Sequence, residues 1–329
     1  MKKWNWIVGL LLLCASFSGA QSLKYRENGK FKLVQFTDVH YIHQDARATV
    51  ALERMKQVLE AEKPDLVVFT GDLIYGKPAE ESLRTVLDLV AAFKLPFAVT
   101  FGNHDDEQGM SRRELFKIIQ SVPGNLTTTT QGLQGVTNYY LPIHASSSDS
   151  IAEVLYFFDS HSYSHVPGVG GYDYIKQEQI QWYQDTSRQL AENQGNRLLP
   201  ALAFFHIPLP EYNQAASNET APLFGCRKEK ACAPQLNSGL FTAFKQTGDV
   251  QGVFVGHDHD NDYAVMWHGI LLAYGRYTGG HTVYSNLPNG ARVIELTEGE
   301  KGFRTWIRLN DQHTEQEVVF PDSFLKPNR

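Results

Sequence analysis

Leu66-Val67-Val68-Phe69-Thr70-Gly71-Asp72 is an unbroken run of strand-forming residues that ends in a glycine and a carboxylate. Without polar alternation, such a run reads as a strand buried on both faces. Similar segments recur at Phe31–Phe36, Phe97–Phe101, Val154–Phe158, Ala201–Phe205, Gly252–Val255 and Ile270–Tyr274. Between the early ones lie helical patterns. Thr49 to Glu62 sets Val50, Met55, Val58 and Leu59 on one side, and Glu80 to Lys94 does the same with Leu83, Val86, Leu87 and Val90. Pro64 and Pro96 stop these two helices. A third helix runs from Lys176 to Asn193, carrying Ile180, Tyr183 and Leu190.

Strands alternating with helices imply right-handed crossovers and a mixed or largely parallel sheet. The last third is richer in strands, with Arg292–Leu296 and Arg304–Leu309 expected to pair antiparallel. Two packed sheets flanked by helices suit this order better than one doubly wound sheet. Glu211 to Leu236 is the long interruption, and loops of that length are usually functional or mobile.

The whole sequence has 329 residues, 42% of them hydrophobic and 12% aromatic, ample for a buried core. No linker argues for a split, so residues 21–329 are expected to form one domain. Lys2 and Lys3 precede an apolar stretch from Trp6 to Phe17 and then Ser18-Gly19-Ala20. That order reads as a signal peptide over residues 1–20, giving an exported, periplasmic or secreted protein with no integral membrane anchor after cleavage. A membrane span needs about 20 apolar residues, more than this run supplies. A lipid anchor on Cys14 is the lesser option, since Leu13 before it is bulky.

With the leader gone, Cys226 and Cys232 remain, and an exported chain favours a disulfide between them over two free thiols. Their spacing does not suit a zinc knuckle. The formal net charge is −6 and no basic run is long, which argues against a polymeric nucleic-acid partner.

Polar residues of metal-binding type fall where the apolar runs end. Asp38 and His40 follow the first, Asp72 the second, Asn103 and His104 the third, His206 the fifth, and His257 with His259 the sixth. Ligands of open α/β sheets gather beyond the carboxyl ends of strands, so these groups could share one crevice. Each piece alone is common by chance; their ordered joint occurrence is not.

Asp38-Val39-His40, Gly71-Asp72, Gly102-Asn103-His104-Asp105, His206 and Gly256-His257-Asp258-His259 together resemble the signature of the calcineurin-like metallophosphoesterase superfamily. Tyr75, three residues after Asp72, makes the chain similar to its purple-acid-phosphatase-like branch. The resemblance implies an α/β fold, a four-layer αββα sandwich of two mixed sheets with helices outside, and a site for two metal ions. Carried over, one ion would be held by Asp38, His40, Asp72 and His259, the other by Asp72, Asn103, His206 and His257, with Asp72 bridging.

Two cations so placed stabilise the attacking and leaving oxygens of an in-line displacement and make hydroxide available near neutral pH. Oxygen and imidazole donors without thiolate fit iron, manganese or zinc. His104, next to a ligand, either protonates the leaving alkoxide or stabilises the charged transition state, with orienting Asp38 or another ligand as the plainer role. The purple phosphatases lack a histidine at the position of His40 and use a tyrosine on iron(III). Here His40 is the expected ligand and Tyr75 the alternative.

Asp105, His161 and Arg276 are further candidates for touching substrate or orienting a ligand, as is Tyr277, while a plain hydrogen-bonding role is equally open for His161 and Arg276. Trp182 and Tyr183 sit at core spacing on their helix. The implied activity is hydrolysis of small phosphate esters, monoesters first, with diesters of nucleotides or lipid head groups as the alternative. A catalytically silent metal-binding or interaction protein is the reading of another class.

Overall fold

The computed structural model describes residues 22–325, and the expected signal peptide lies outside them. In chain order the first half reads β1 (Leu23–Lys24), β2 (Lys30–Phe36), α1 (Thr49–Glu62), β3 (Leu66–Thr70), α2 (Ala79–Ala92), β4 (Phe97–Thr100), α3 (Arg112–Ser121), β5 (Tyr139–His144) and β6 (Ile151–Phe157). The second half reads α4 (Gln177–Asn193), β7 (Ala201–Phe204), α5 (Glu211–Ala216), β8 (Leu223–Phe224), α6 (Leu240–Thr247), β9 (Val250–Val255), β10 (Ala264–Trp267), β11 (Ile270–Tyr274), β12 (Ala291–Thr297), β13 (Phe303–Arg308) and β14 (Thr314–Phe320).

The strands form two sheets, one ordered β1-β5-β6-β7-β9-β11-β10-β8 and the other β14-β13-β12-β2-β3-β4. Their centres are parallel: β2 pairs with β3 and β3 with β4, while β6, β7, β9 and β11 follow one another in the same direction. Antiparallel pairs flank these centres at β5–β6, β11–β10 and β2–β12, and β12 runs antiparallel to β13 as expected.

Side chains alternate across each central strand, which explains why these segments show no polar alternation. Leu66 and Val68 of β3 enter the core between the sheets, where they meet Leu202 and Phe204 of β7 and Phe254 of β9. Val67 and Phe69 point the other way, to Met55 and Val58 of α1 and Leu83, Val86 and Val90 of α2. Ala201 and Ala203 of β7 likewise turn outward to Ile180 and Tyr183 of α4 and Phe244 of α6. The result is the four-layer α/β sandwich, with helices covering both outer faces.

Glu211 to Leu236 carries α5 and β8 and is tied down more than a loop would be. Cys226 and Cys232 donate their backbone N–H groups to Asp262 and Asp258. The expected disulfide is absent: both thiols are free. Backbone hydrogen bonds to the segment bearing His257 and His259 hold this stretch in place instead. Among the described residues, no helix is long and apolar enough to cross a membrane.

Candidate metal centre

The parallel strands of both sheets deliver their carboxyl ends to one crevice. Asp38 and His40 follow β2, Asp72 follows β3, Asn103 and His104 follow β4, His206 follows β7, and His257 and His259 follow β9. Backbone bonds stitch these turns together. Asp38 donates to the carbonyl of Gly71 at 3.1 Å, His40 to that of Asp72 at 3.0 Å, and Gly256 to that of His206 at 3.0 Å. The Gln35 amide crosses between the sheets to the carbonyl of Val255 at 3.0 Å.

The close approach requires glycine at two points. A Cβ on Gly256 would collide with the Thr37 hydroxyl and stand 2.7 Å from Asp38 Oδ2, and one on Gly102 would strike the Asp72 carboxylate. The turns are also strained. Asp38, His40, Asp72 and His257 all take left-handed backbone angles, with φ of 52°, 46°, 52° and 81°. Such conformations cost on the order of 1 kcal/mol or more each and persist where surrounding structure enforces them.

The side chains gather into two groups, Asp38 with His40 and His259, and Asp72 with His206 and His257. In each group the donor atoms lie within 4.8 Å of one another. Asp72 stands between the groups: its Oδ2 is 3.2 Å from His206 Nε2 and 3.6 Å from His40 Nε2. All these residues are buried, as is Asn103.

The donor set fits metal ions better than it fits itself. His40 Nε2 and His259 Nε2 face each other at 3.0 Å, and His257 Nδ1 faces His206 Nε2 at 3.3 Å. Asn103 Oδ1 is buried with no hydrogen-bond partner among the described residues, the kind of orphan that normally signals an unseen ion or water. His206 and His259 donate their Nδ1–H groups to the carbonyls of Thr70 at 2.7 Å and Tyr284 at 2.9 Å. That fixes the tautomer and turns the Nε2 lone pairs inward, as a metal-binding histidine requires.

Electrostatics in the protein alone are correspondingly uneven. Burial disfavours charge on Asp38 and Asp72, yet the neighbouring imidazoles hold both carboxyls below their ordinary range. Burial also opposes charge on His206, but Asp72 beside it raises the imidazole to about 9. His40 and His257 are pushed down to about 3, chiefly by burial.

Asp105 lies beneath the centre. Its carboxylate accepts the backbone N–H groups of Asp72 at 3.0 Å, Leu73 at 2.7 Å, Ile74 at 3.2 Å and Gly102 at 2.8 Å. Burial first, and then the Asp72 charge, raise its carboxyl to about 7. It shapes the turns and does not face the crevice as a donor.

His104 stands at the rim. Its backbone N–H bonds Asp72 Oδ1 at 2.8 Å, and its ring Nδ1 lies 2.5 Å from Glu107 Oε2. Tyr75 packs edge-on against His40 and His104, with ring centroids 5.1 and 5.0 Å away. His161 lines a cavity of about 680 Å³ that opens beside Asn103, but its Nε2 is bonded to Gln179 at 2.8 Å.

Arg276 is not where a substrate contact is needed. It is buried, and its guanidinium is taken up by Asp262, Glu315 and the Pro288 carbonyl. Tyr277, also buried, bonds the Gly280 carbonyl at 3.0 Å, its ring lying 5.0 Å from that of His259. The crevice has further walls that no motif announced. Tyr172 meets His257 edge-on at 4.2 Å, Tyr284 stacks on His259 at 4.5 Å, and Tyr163 stacks on Tyr172 at 5.7 Å. These come from loops whose spacing carries no periodic signal.

A family model described as calcineurin-like phosphoesterase matches residues 31–261, the span that supplies every residue of both groups. The chain belongs to the calcineurin-like phosphoesterase family. Within it, the chain is 34% identical to a probable inactive purple acid phosphatase 29 of Arabidopsis thaliana, over 93% of this chain and 90% of that one. It is 36% identical to the phosphatase DCR2 of Saccharomyces cerevisiae over 89% of this chain, and there it spans 56% of the yeast protein.

Among solved structures, a dimetal phosphatase from Danio rerio superposes with a TM-score of 0.61 at 14% identity, covering 88% of this chain and 99% of that one. A purple acid phosphatase from yellow lupin superposes with a TM-score of 0.53 at 12% identity, covering 91% of this chain and 54% of that one. Both share the calcineurin-like phosphoesterase fold described above.

Proposed function

We propose that this family member is an exported, metal-dependent phosphoesterase that hydrolyses small phosphate esters, monoesters before diesters. The observation that carries the reading is the pair of buried donor groups on either side of Asp72. Asp38, His40, Asp72 and His259 would hold one ion and Asp72, Asn103, His206 and His257 the other. Two cations there, drawn from iron, manganese or zinc, would acidify a water and polarise the phosphate oxygens.

The chain's own part is to place the groups and to move one proton. The Asp72 carboxylate, held by the His104 N–H and by the turn that Asp105 fixes, keeps the two sides in register. As the water oxygen bonds to phosphorus and the ester P–O bond breaks, His104 Nε2–H gives its proton to the leaving alkoxide oxygen. One proton of the water stays on the product phosphate and the other restores His104, so the ester and water yield alcohol and phosphate. Export rests on the sequence of residues 1–20, and the net charge of −6 keeps nucleic-acid polymers off the list of partners.

A catalytically silent metal-binding protein is the second reading, favoured by the plant relative's name, which calls it inactive. Against it stand the full set of donors and an intact His104. Elemental analysis of the purified protein, with turnover of p-nitrophenyl phosphate and its bis ester by the parent and of an alkyl phosphate by the parent and by His104→Ala, decides between them. Metal with turnover that His104→Ala reduces supports the enzyme. Metal without turnover of any ester at any pH supports the silent protein, and faster turnover of the bis ester reverses the monoester preference.

A further inference from the structure

Two residues outside the family signature connect the proton donor to the metal centre. Glu107, three residues after His104 in the turn that follows β4, accepts from His104 Nδ1 through Oε2 at 2.5 Å. Its other oxygen, Oε1, accepts the Tyr163 hydroxyl at 2.9 Å. The same hydroxyl accepts from Asn103 Nδ2 at 3.4 Å, leaving Asn103 Oδ1 buried and without a partner among the described residues. A chain of four groups thus runs His104, Glu107, Tyr163, Asn103.

Resting on the function proposed above, we infer that Glu107 and Tyr163 are positioning residues that set two choices at once. A carboxylate accepts only, so Glu107 keeps a hydrogen on His104 Nδ1 throughout, and the second proton of the cationic ring, carried on Nε2 toward the cleft, is the one given to the leaving oxygen. The ring cannot turn over without losing that bond. Tyr163 sets the other choice: by taking the NH₂ side of Asn103, it aims the amide oxygen at the group formed by Asp72, His206 and His257. Neither residue touches the reacting atoms; each acts through its neighbour. Tyr163 also closes one side of the cavity beside Asn103, where the alcohol part of a substrate has room.

The experiment uses the full protein loaded with zinc, two esters of different leaving group, and the variants Glu107→Gln, Tyr163→Phe, His104→Ala and His104→Ala with Glu107→Gln. An alkyl phosphate needs its leaving oxygen protonated, whereas p-nitrophenolate leaves unaided. Glu107→Gln is expected to slow the alkyl phosphate on the order of 10- to 100-fold, out of the roughly 10²–10⁴ that a positioned acid supplies. The p-nitrophenyl ester should change by less than about threefold, since little proton transfer is at stake. The double variant should be no slower than His104→Ala, and zinc content should hold. Tyr163→Phe should lower zinc affinity as well as turnover.

Equal loss on both esters, no loss, or a further loss on the His104→Ala background overturns the role of Glu107. Unchanged zinc affinity in Tyr163→Phe overturns that of Tyr163. Nitrogen-15 histidine spectra at a pH where the ring is neutral give a readout independent of turnover, with His104→Ala assigning the signal. Hydrogen on Nδ1 is expected in the parent; hydrogen on Nε2 in the parent refutes the inference. A zinc-loaded parent that cleaves neither ester would sink the proposed function instead, while the spectra still decide this one.

Discussion

The Asp105 carboxylate accepts the backbone N–H of Asp72 at 3.0 Å, so the residue between the two donor groups is held from beneath by a second buried acid. Three more backbone N–H groups end on the same carboxylate. Asp105→Asn keeps the size but replaces an acceptor oxygen with a donor that faces backbone donors. The expected loss is about 1–3 kcal/mol of stability for groups left unpaired. Metal affinity should fall about 10- to 100-fold, the usual cost of removing a group that orients a ligand. Thermal melts and metal titration check both, and a variant that loads metal as the parent does would show that the left-handed Asp72 turn holds without Asp105.

Removing metal should stop turnover and lower the melting temperature. The stabilisation lost is about 2.7 kcal/mol if free metal had stood at about a hundred times its dissociation constant. Asp38 and Asp72, both buried, would then lose the cations between them, and of the imidazoles beside them burial keeps His40 and His257 neutral near pH 7. Chelation followed by restoration with zinc or manganese tests this. Full turnover of a protein shown by elemental analysis to be metal-free is the outcome that refutes it.

The residues that sequence reading placed best were those under the strongest physical constraint. The central strands are apolar on both faces and stood out for that reason; α1 matches its expected span of Thr49–Glu62. β5 and β14 escaped because they lie toward the sheet edges with mixed burial, and β5 contains Pro142. α3 had a legible start, since Ser111 and Glu114 form a capping box. The donor residues followed from their places at strand ends. Arg276 shows the limit of that argument: the end of β11 also leads to the crevice, but whether a side chain enters it depends on Asp262 and Glu315, and no spacing encodes that. Tyr163, Tyr172 and Tyr284 reach the site from irregular segments and Glu107 from the short 3-10 turn Asp105–Gln108, and none left a pattern to read.

At the opposite end of β6, Glu153 is buried, and among the described residues its one side-chain partner is the Tyr25 hydroxyl, 2.5 Å away. Burial lifts its carboxyl to about 8, the tyrosine hydrogen bond working against the shift. The folded protein therefore keeps a proton that the unfolded chain has lost above about 4.5. This contribution to stability is complete below about pH 4.5 and disappears as pH rises through about 8, with a slope of up to about 1.4 kcal/mol per pH unit. Glu153→Gln, which cannot ionise, should match the parent near pH 5 and melt higher than it near pH 8.5. Melting curves across that range that stay parallel for the two proteins would show that Glu153 is ionised when folded.

Arg276 offers the sharpest separation of structure from chemistry. Its guanidinium joins Asp262 and Glu315, and Asp262 is itself fully buried beside the segment carrying His257 and His259. Arg276→Met removes the cation and strands the carboxylate, a change expected to cost about 3–5 kcal/mol. Adding Asp262→Asn removes the stranded charge and should recover part of that loss, because the two sites share one interaction. A substrate-binding arginine behaves otherwise, since its loss raises KM or lowers kcat while the fold stays intact. Turnover per folded molecule, measured well below each variant's melting temperature, should therefore stay near that of the parent in both variants. Collapse of turnover in a fully folded Arg276→Met protein would return this residue to the phosphate.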